Sequence, residues 1–262
     1  MVISDLDGTL LDDTCEIPGL NKEIIAQFRK QGGLFTLATG RNSYSVKRFA
    51  RELDLDLPLI IYNGAKIVHA VSGEDIFSSC MDKRDIEQAL ELYREFPLDP
   101  IFFSEGTGYV FEFTDKVKIF QRRDGIRLAL LENEADLMKR EITKVLAIGE
   151  SQYYPEFRRQ FYEVRGCKGH LVQSEINFLE ILPEGVNKGT AMKFLADSLG
   201  IKLNEIVCFG DNSNDAEMIQ MAGLGVVMEN AHEEIKAYAD IIAPPNTASG
   251  VGIVIRDYFL NK

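Results

Sequence analysis

Twice in this 262-residue chain, once near each end, short apolar runs alternate with helix-length segments, and that alternation restricts the fold more than any other feature. Val2-Ile3-Ser4 opens the first series. Residues 21–30 follow with Ile24, Ile25 and Phe28 at helical spacing, and Gly32-Gly33 stops them. Residues 34–38 read as a buried strand, 43–53 as a helix bearing Val46, Phe49, Ala50 and Leu53, and 59–62 as a third strand ended by Asn63-Gly64. Strand–helix–strand repeats of this kind imply a parallel sheet with right-handed crossovers. The second series starts with a helix over 187–199, stopped by Gly200. It continues through a strand over 206–209, a helix over 215–222 and short strands over 225–228 and 240–243, to a closing helix over 251–259.

The middle of the chain has another character. Residues 81–180 hold 14 of the 25 Phe and Tyr residues, which we read as core material. Tyr109, Phe111 and Phe113 alternate with Val110, Glu112 and Thr114, the period of a half-buried strand, and residues 104–108 would turn it back onto 101–103. Further strands are expected over 143–148, 171–174 and 178–182, and helices over 84–96 and 156–164. The expected architecture is a doubly wound, parallel-sheet (Rossmann-like) α/β core from residues 1–80 and 181–262, with an α+β domain of residues 81–180 inserted.

A net charge of −12 and a pI near 4.8 argue against a nucleic-acid partner, whose phosphates such a field repels. The apolar runs are too short to span a bilayer, and no signal-peptide pattern precedes Asp5, so no membrane association is expected. Cys15, Cys80, Cys167 and Cys208 are widely spaced and read as reduced thiols of a cytoplasmic protein. His69, His170 and His232 are scattered, which leaves no histidine-rich metal site. We expect a monomer or weak homodimer acting on a small molecule.

Four distant segments carry chemistry. Asp5 and Asp7, in Asp5-Leu6-Asp7-Gly8-Thr9, follow the first apolar run. Thr39-Gly40-Arg41 ends the second strand, where a hydroxyl and free amides can hold phosphate oxygens. Lys188 opens a helix, a place where a cation is slightly unfavourable unless an anion lies nearby. Asp211 and Asp215 stand at a strand-to-helix turn. Each segment taken alone has an ordinary structural explanation as a turn, a cap or a surface side chain. Neither acidic pair fits a calcium loop, because the glycine position is Leu10 in one and Ala216 in the other. In a parallel sheet, however, the carboxyl ends of the strands converge. Four carboxylates brought together there repel one another, and oxygen-only ligands point to Mg²⁺ as the cation that relieves them.

Five motifs, in order, make the chain resemble the haloacid dehalogenase-like phosphatases, in particular the Cof-type branch with its large α+β cap. They are Asp5-Leu6-Asp7-Gly8-Thr9-Leu10-Leu11, Ala38-Thr39-Gly40-Arg41, Tyr62-Asn63-Gly64-Ala65, Asn187-Lys188-Gly189 and Gly210-Asp211-Asn212-Ser213-Asn214-Asp215. The resemblance implies Asp5 as nucleophile, Asp7 as general acid and base, and Thr39 and Lys188 as holders of the phosphoryl group. It implies a Mg²⁺ site from the Asp5 carboxylate, the Asp7 carbonyl and Asp211, with Asp215 in support. Gly40, Arg41, Asn63 and Asn214 would lie near a small phosphorylated metabolite. A phosphosugar mutase and a phospho-aspartate switch use similar parts. Asp7 and the inserted domain favour hydrolysis over the switch. Ser249 before Gly250-Val251 departs from the acidic residue often found there, which leaves Asn246 and its neighbours without an assigned role.

Overall fold

A computed structural model describes residues 1–260. The chain forms two compact units. The first comprises Met1–Arg41, Val46–Phe77 and the chain from Asn187 on; the second comprises Asn42–Ser45 and Ser78–Val186. The expected junction at 180/181 falls inside a strand and moves to 186/187, because the ladder there is continuous to Leu182.

In the first unit, β1 (Val2–Ser4), β2 (Phe35–Leu37) and β3 (Leu59–Ile61) come from the first series. The sequence reading missed β4 (Lys66–Val68) and β5 (Asp75–Ser78), which follow directly. β3 joins β2 through a single parallel bridge, Ala38 to Ile60, and otherwise pairs antiparallel with β4. The three-strand parallel expectation thus holds fully for β1 and β2 and only at one point for β3.

The second unit is a six-stranded sheet of β6 (Asp99–Ser104), β7 (Thr107–Val110), β8 (Leu128–Leu130), β9 (Lys144–Ile148), β10 (His170–Glu175) and β11 (Phe178–Leu182). Its order is β10-β11-β9-β6-β7-β8, antiparallel except between β7 and β8. Helices Lys83–Glu95 and Tyr154–Arg159, with the π-helical turn Gln160–Val164 that continues the second, cover one face through Ile86, Phe157 and Phe161, packed with Phe102, Val145 and Leu179. Most aromatics of this unit are core or pack against it, as read from composition, but Tyr162 is exposed.

Returning to the first unit, β12 (Val207–Gly210), β13 (Leu224–Met228) and β14 (Ile241–Ala243) complete a parallel sheet of order β14-β13-β12-β1-β2. Helix Lys188–Leu199 buries Ala191, Met192 and Leu195 against Ile3, Ile60 and Cys208. Helix Gly19–Lys30 carries Ile24, Ile25 and Phe28 into the core, and its Asn21 bonds to Gly252 of helix Gly250–Ile255. The strand order matters for the site. From β1 the chain moves to β2 on one side, and from β12 to β13 on the other. The crevice between the ends of β1 and β12 is a topological switch point, where open α/β sheets bind ligands. Among the described residues no helix is long and apolar enough to cross a membrane, and all four cysteines are free.

Candidate active site

Register puts Asp5 at that switch point. Ser4 pairs with Phe209, and the Asp5 amide donates to the Phe209 carbonyl at 3.0 Å, so Asp5 stands beside Gly210 and the Asp211 turn. Two closures build the turn Leu6–Leu10: the Leu11 amide bonds back to Leu6, and Gly8 takes φ 78°. A Cβ on Gly8 would lie 2.4 Å from Asp211 Oδ2, so glycine is required both by conformation and by contact. Thr9 donates its hydroxyl to Asp211 Oδ1 at 2.6 Å. Thr9 had no role in the sequence reading, although it sits within the quoted motif.

Lys188 is fully buried, and its ammonium lies 2.6 Å from both Asp5 Oδ1 and Asp215 Oδ1. Its place is set by a capping box: Asn187 accepts from the Thr190 amide while Thr190 accepts from the Asn187 amide. Asp215 spends its other oxygen, Oδ2, on the amides of Asp211 and Asn212. It therefore closes its own turn and anchors the lysine at the same time.

Ligand oxygens of Asp5, Asp211 and Asp215 all lie within 4.8 Å of one another. The sequence pointed to four converging carboxylates, but the structure gathers three. Asp7's carboxylate is turned to Arg41, which holds it bidentately at 2.8 Å from Nε and 2.6 Å from Nη2. The Arg41 guanidinium also lies 5.2 Å from the centroid of the Phe49 ring.

Three carboxylates face one ammonium, and the electrostatics reflect that imbalance. Burial raises the Asp5 carboxyl well above its ordinary range; Asp215, Asp211 and Asp7 add to this and Lys188 opposes it. Burial and Asp215 push Asp211 up to about 7. Burial would lower the Lys188 ammonium, but Asp215 and Asp5 outweigh it and the net shift is upward. Three clustered hard oxygen donors, joined by no histidine or cysteine among the described residues, fit a divalent cation of the Mg²⁺ type, which would favour their charged forms.

The remaining segments meet the same edge. Thr39 is buried, and its hydroxyl accepts from the Arg41 amide at 3.1 Å. Backbone bonds from Asn63 to Thr39 and from Tyr62 to Arg41 tie this turn to Tyr62–Gly64. Tyr62 and Asn63 have φ of 51° and 53°, a left-handed conformation that is costly for a bulky residue such as tyrosine. Gly40 lies so close to the Asn63 carboxamide that a Cβ there would be 3.1 Å away. Asn214 donates to Asn63 Oδ1 at 3.0 Å, which links the Asp211 turn to the Thr39 turn. In the second unit, Arg123 and Lys144 carry anionic partners. Arg123 grips Glu175 bidentately, and Lys144 forms a buried pair with Glu180 at 3.0 Å.

Comparisons with known proteins give the family. The sequence profile of a family described as haloacid dehalogenase-like hydrolase matches residues 2–255. A putative phosphatase of Haemophilus influenzae is 27% identical over 263 residues, covering 98% of this chain and 97% of its own. An HMP-PP phosphatase of Escherichia coli is 30% identical over 236 residues, covering 89% and 85%. A crystal structure of a haloacid dehalogenase-like hydrolase from Bacteroides thetaiotaomicron superposes with a TM-score of 0.85 at 27% identity, covering 98% of both chains.

Proposed function

The chain belongs to the haloacid dehalogenase-like hydrolase family, and from that premise we propose that it is a Mg²⁺-dependent phosphatase of small phosphorylated metabolites, working through an aspartyl-phosphate on Asp5. One observation carries the reading: Asp5 is a buried carboxylate at the switch point, beside a buried ammonium and an acidic pair. A carboxylate becomes a competent nucleophile toward phosphorus where fixed positive charge offsets the negative charge of the phosphoryl group. Asp5, Asp211 and the Asp7 carbonyl would hold the cation, with Asp215 in support. When bound, the cation supplies charge neutralisation at the phosphoryl oxygens.

The chain's own residues then divide the work. Asp5 attacks phosphorus, forming the acyl-phosphate bond as the bond to the leaving alcohol breaks. Asp7 gives a proton to that alcohol. It then takes one from the water that attacks phosphorus, which releases inorganic phosphate and restores Asp5. Thr39, the amides of Gly40 and Arg41, and Lys188 hold the phosphoryl oxygens. Because Arg41 occupies both Asp7 oxygens, proton transfer requires that pair to open. A substrate anion or hydroxyl that engages the guanidinium would open it. Asn63 and Asn214 lie beside this point and are suited to contact the substrate.

The test is phosphate release from p-nitrophenyl phosphate and a panel of phosphorylated metabolites, with Mg²⁺ and with a chelator. Wild type should turn over only with Mg²⁺. Asp5→Asn, folded as judged by circular dichroism, should lose about a thousandfold or more in kcat. Near-normal turnover by that variant refutes the nucleophile assignment. Isomerisation of a sugar phosphate without phosphate release would identify a mutase, and a long-lived phospho-Asp5 adduct would identify a switch.

A further inference from the structure

Three asparagines from three distant places converge on the turn that carries Asp7. Asn230 donates its side-chain amide to the Gly8 carbonyl at 2.8 Å. Asn21 donates to the Leu10 carbonyl at 3.2 Å. Asn246 donates to the Leu11 carbonyl at 2.8 Å and reaches Asp13 Oδ1 at 3.4 Å. Two of them also use the other end of the carboxamide. Asn230 Oδ1 accepts from the Asn246 amide at 3.0 Å, and Asn21 Oδ1 accepts from the Gly252 amide at 2.8 Å. A carboxamide offers a donor and an acceptor in one plane, which aspartate and leucine of similar size cannot match. The result is a bridge between the turn and the C-terminal segment around residues 246–252.

We infer that Asn21, Asn230 and Asn246 are positioning residues that fix the Asp5–Leu11 turn, and through it the places of Asp7 and Asp211. Asn230 is the key member. Its target, the Gly8 carbonyl, belongs to the peptide that follows Asp7 and precedes Thr9. Gly8 has no room to shift toward Asp211, since a Cβ would already fall 2.4 Å from that carboxylate. Thr9 holds the same carboxylate through its hydroxyl. Tension on the Gly8–Thr9 peptide is therefore passed to Asp7 on one side and to Asp211 on the other. Groups that must meet a reacting phosphorus need placement to within about 0.5 Å. Asn246, left without a role by the sequence, orients Asn230 and pins Leu11 in the same act.

The inference rests on the phosphatase reading, and the test separates the two. Asn230 is exposed, whereas Asn21 and Asn246 are buried, so Asn230→Asp is the variant least prone to unfolding. It keeps the acceptor for the Asn246 amide, replaces the donor to the Gly8 carbonyl by a carboxylate oxygen, and adds a negative charge. The experiment uses the whole protein and reads p-nitrophenyl phosphate turnover, Mg²⁺ affinity by calorimetry, amide exchange and melting temperature. We expect kcat to fall about tenfold with KM changed less than about twofold. Mg²⁺ binding should weaken severalfold, although the added negative charge by itself would tighten it. Amide exchange should quicken within residues 5–11 with the melting temperature nearly unchanged. Unchanged kcat and unchanged exchange overturn the inference. So does a much lower melting temperature with full kcat in the folded enzyme, because Asn230 would then serve stability alone. If the wild type releases no phosphate, the phosphatase reading fails, and exchange decides the positioning role: quickening confined to 5–11 upholds it and no change overturns it.

Discussion

Replacing Asp211 by asparagine should make the cation-free protein more stable while it cripples the enzyme. In the folded chain, burial and Asp215 push this carboxyl from its ordinary 3.8 up to about 7. A raised folded pKa means that the folded state binds the proton more tightly than the unfolded state does. Folding stability is then lost as pH rises through that window. Three units at about 1.4 kcal/mol each put the cost near 4 kcal/mol at about pH 8 and near 2 kcal/mol at about pH 5. Asp211 keeps some contact with solvent, so these are upper bounds. Asparagine retains an acceptor for the Thr9 hydroxyl, and the substitution removes the charge without removing that bond. Urea unfolding with a chelator present, at both pH values, reads the difference. We expect the variant to be more stable than wild type by about 2–4 kcal/mol at about pH 8, with roughly half of that gain remaining at about pH 5. Adding Mg²⁺ should stabilise wild type at the higher pH and the variant much less, since ligand binding to the folded state adds stability in proportion to its affinity. A variant no more stable than wild type at about pH 8, or a gain that grows toward pH 5, would refute the charge-imbalance argument.

Two further substitutions test neighbouring parts of the site. Lys188→Met should destabilise the fold by about 3–5 kcal/mol near neutral pH, measured by urea unfolding, because it strands Asp5 and Asp215 without their shared cation. A loss below about 1 kcal/mol would mean that the buried carboxylates are protonated and need no ammonium. Gly8→Ala and Gly73→Ala form a matched pair, since both glycines have φ 78° but only Gly8 has a carboxylate in the way. Gly73→Ala should cost about 1 kcal/mol of backbone strain, and Gly8→Ala clearly more, with a higher Mg²⁺ requirement for activity. Equal losses in the two would remove the Gly8–Asp211 contact from the argument.

The site was largely legible because its parts are local signals at strand ends. Asp5, Thr39, Lys188 and Asp211 each follow or open an element that hydrophobic periodicity locates, and a parallel sheet then gathers strand ends at one edge. What periodicity does not carry is side-chain direction beyond the strand. Asp5 and Asp7 are two residues apart, which in an extended segment would aim them the same way. The turn closed by Gly8 intervenes, and Asp7 goes to Arg41. Weak stripes explain the missed elements. Helix Asp115–Asp124 buries only Val117 and Phe120, too narrow a face to stand out from its charged residues. β7 stops at Val110 although the alternation continues to Thr114, because its neighbour β8 ends opposite, at Leu130. Strand length is set by the partner, which lies elsewhere in the sequence.

The asparagines show the same limit in its sharpest form, and they also show why the site needs them. Asn21, Asn230 and Asn246 look like ordinary helix and turn residues, and nothing within a local window links them. Yet the turn they hold must resist a load that the sequence does reveal, the repulsion among Asp5, Asp211 and Asp215 with one lysine between them. A cluster of like charges lowers its energy by spreading or by taking up a proton, and either response would disable the proposed nucleophile and cation site. Three neutral donors on the Gly8, Leu10 and Leu11 carbonyls oppose the spreading without adding charge to the site. Arginine or lysine in those places would neutralise the carboxylates and compete with the cation for them. Carboxamides fix the backbone and leave the charge imbalance intact for the proposed divalent ion to satisfy.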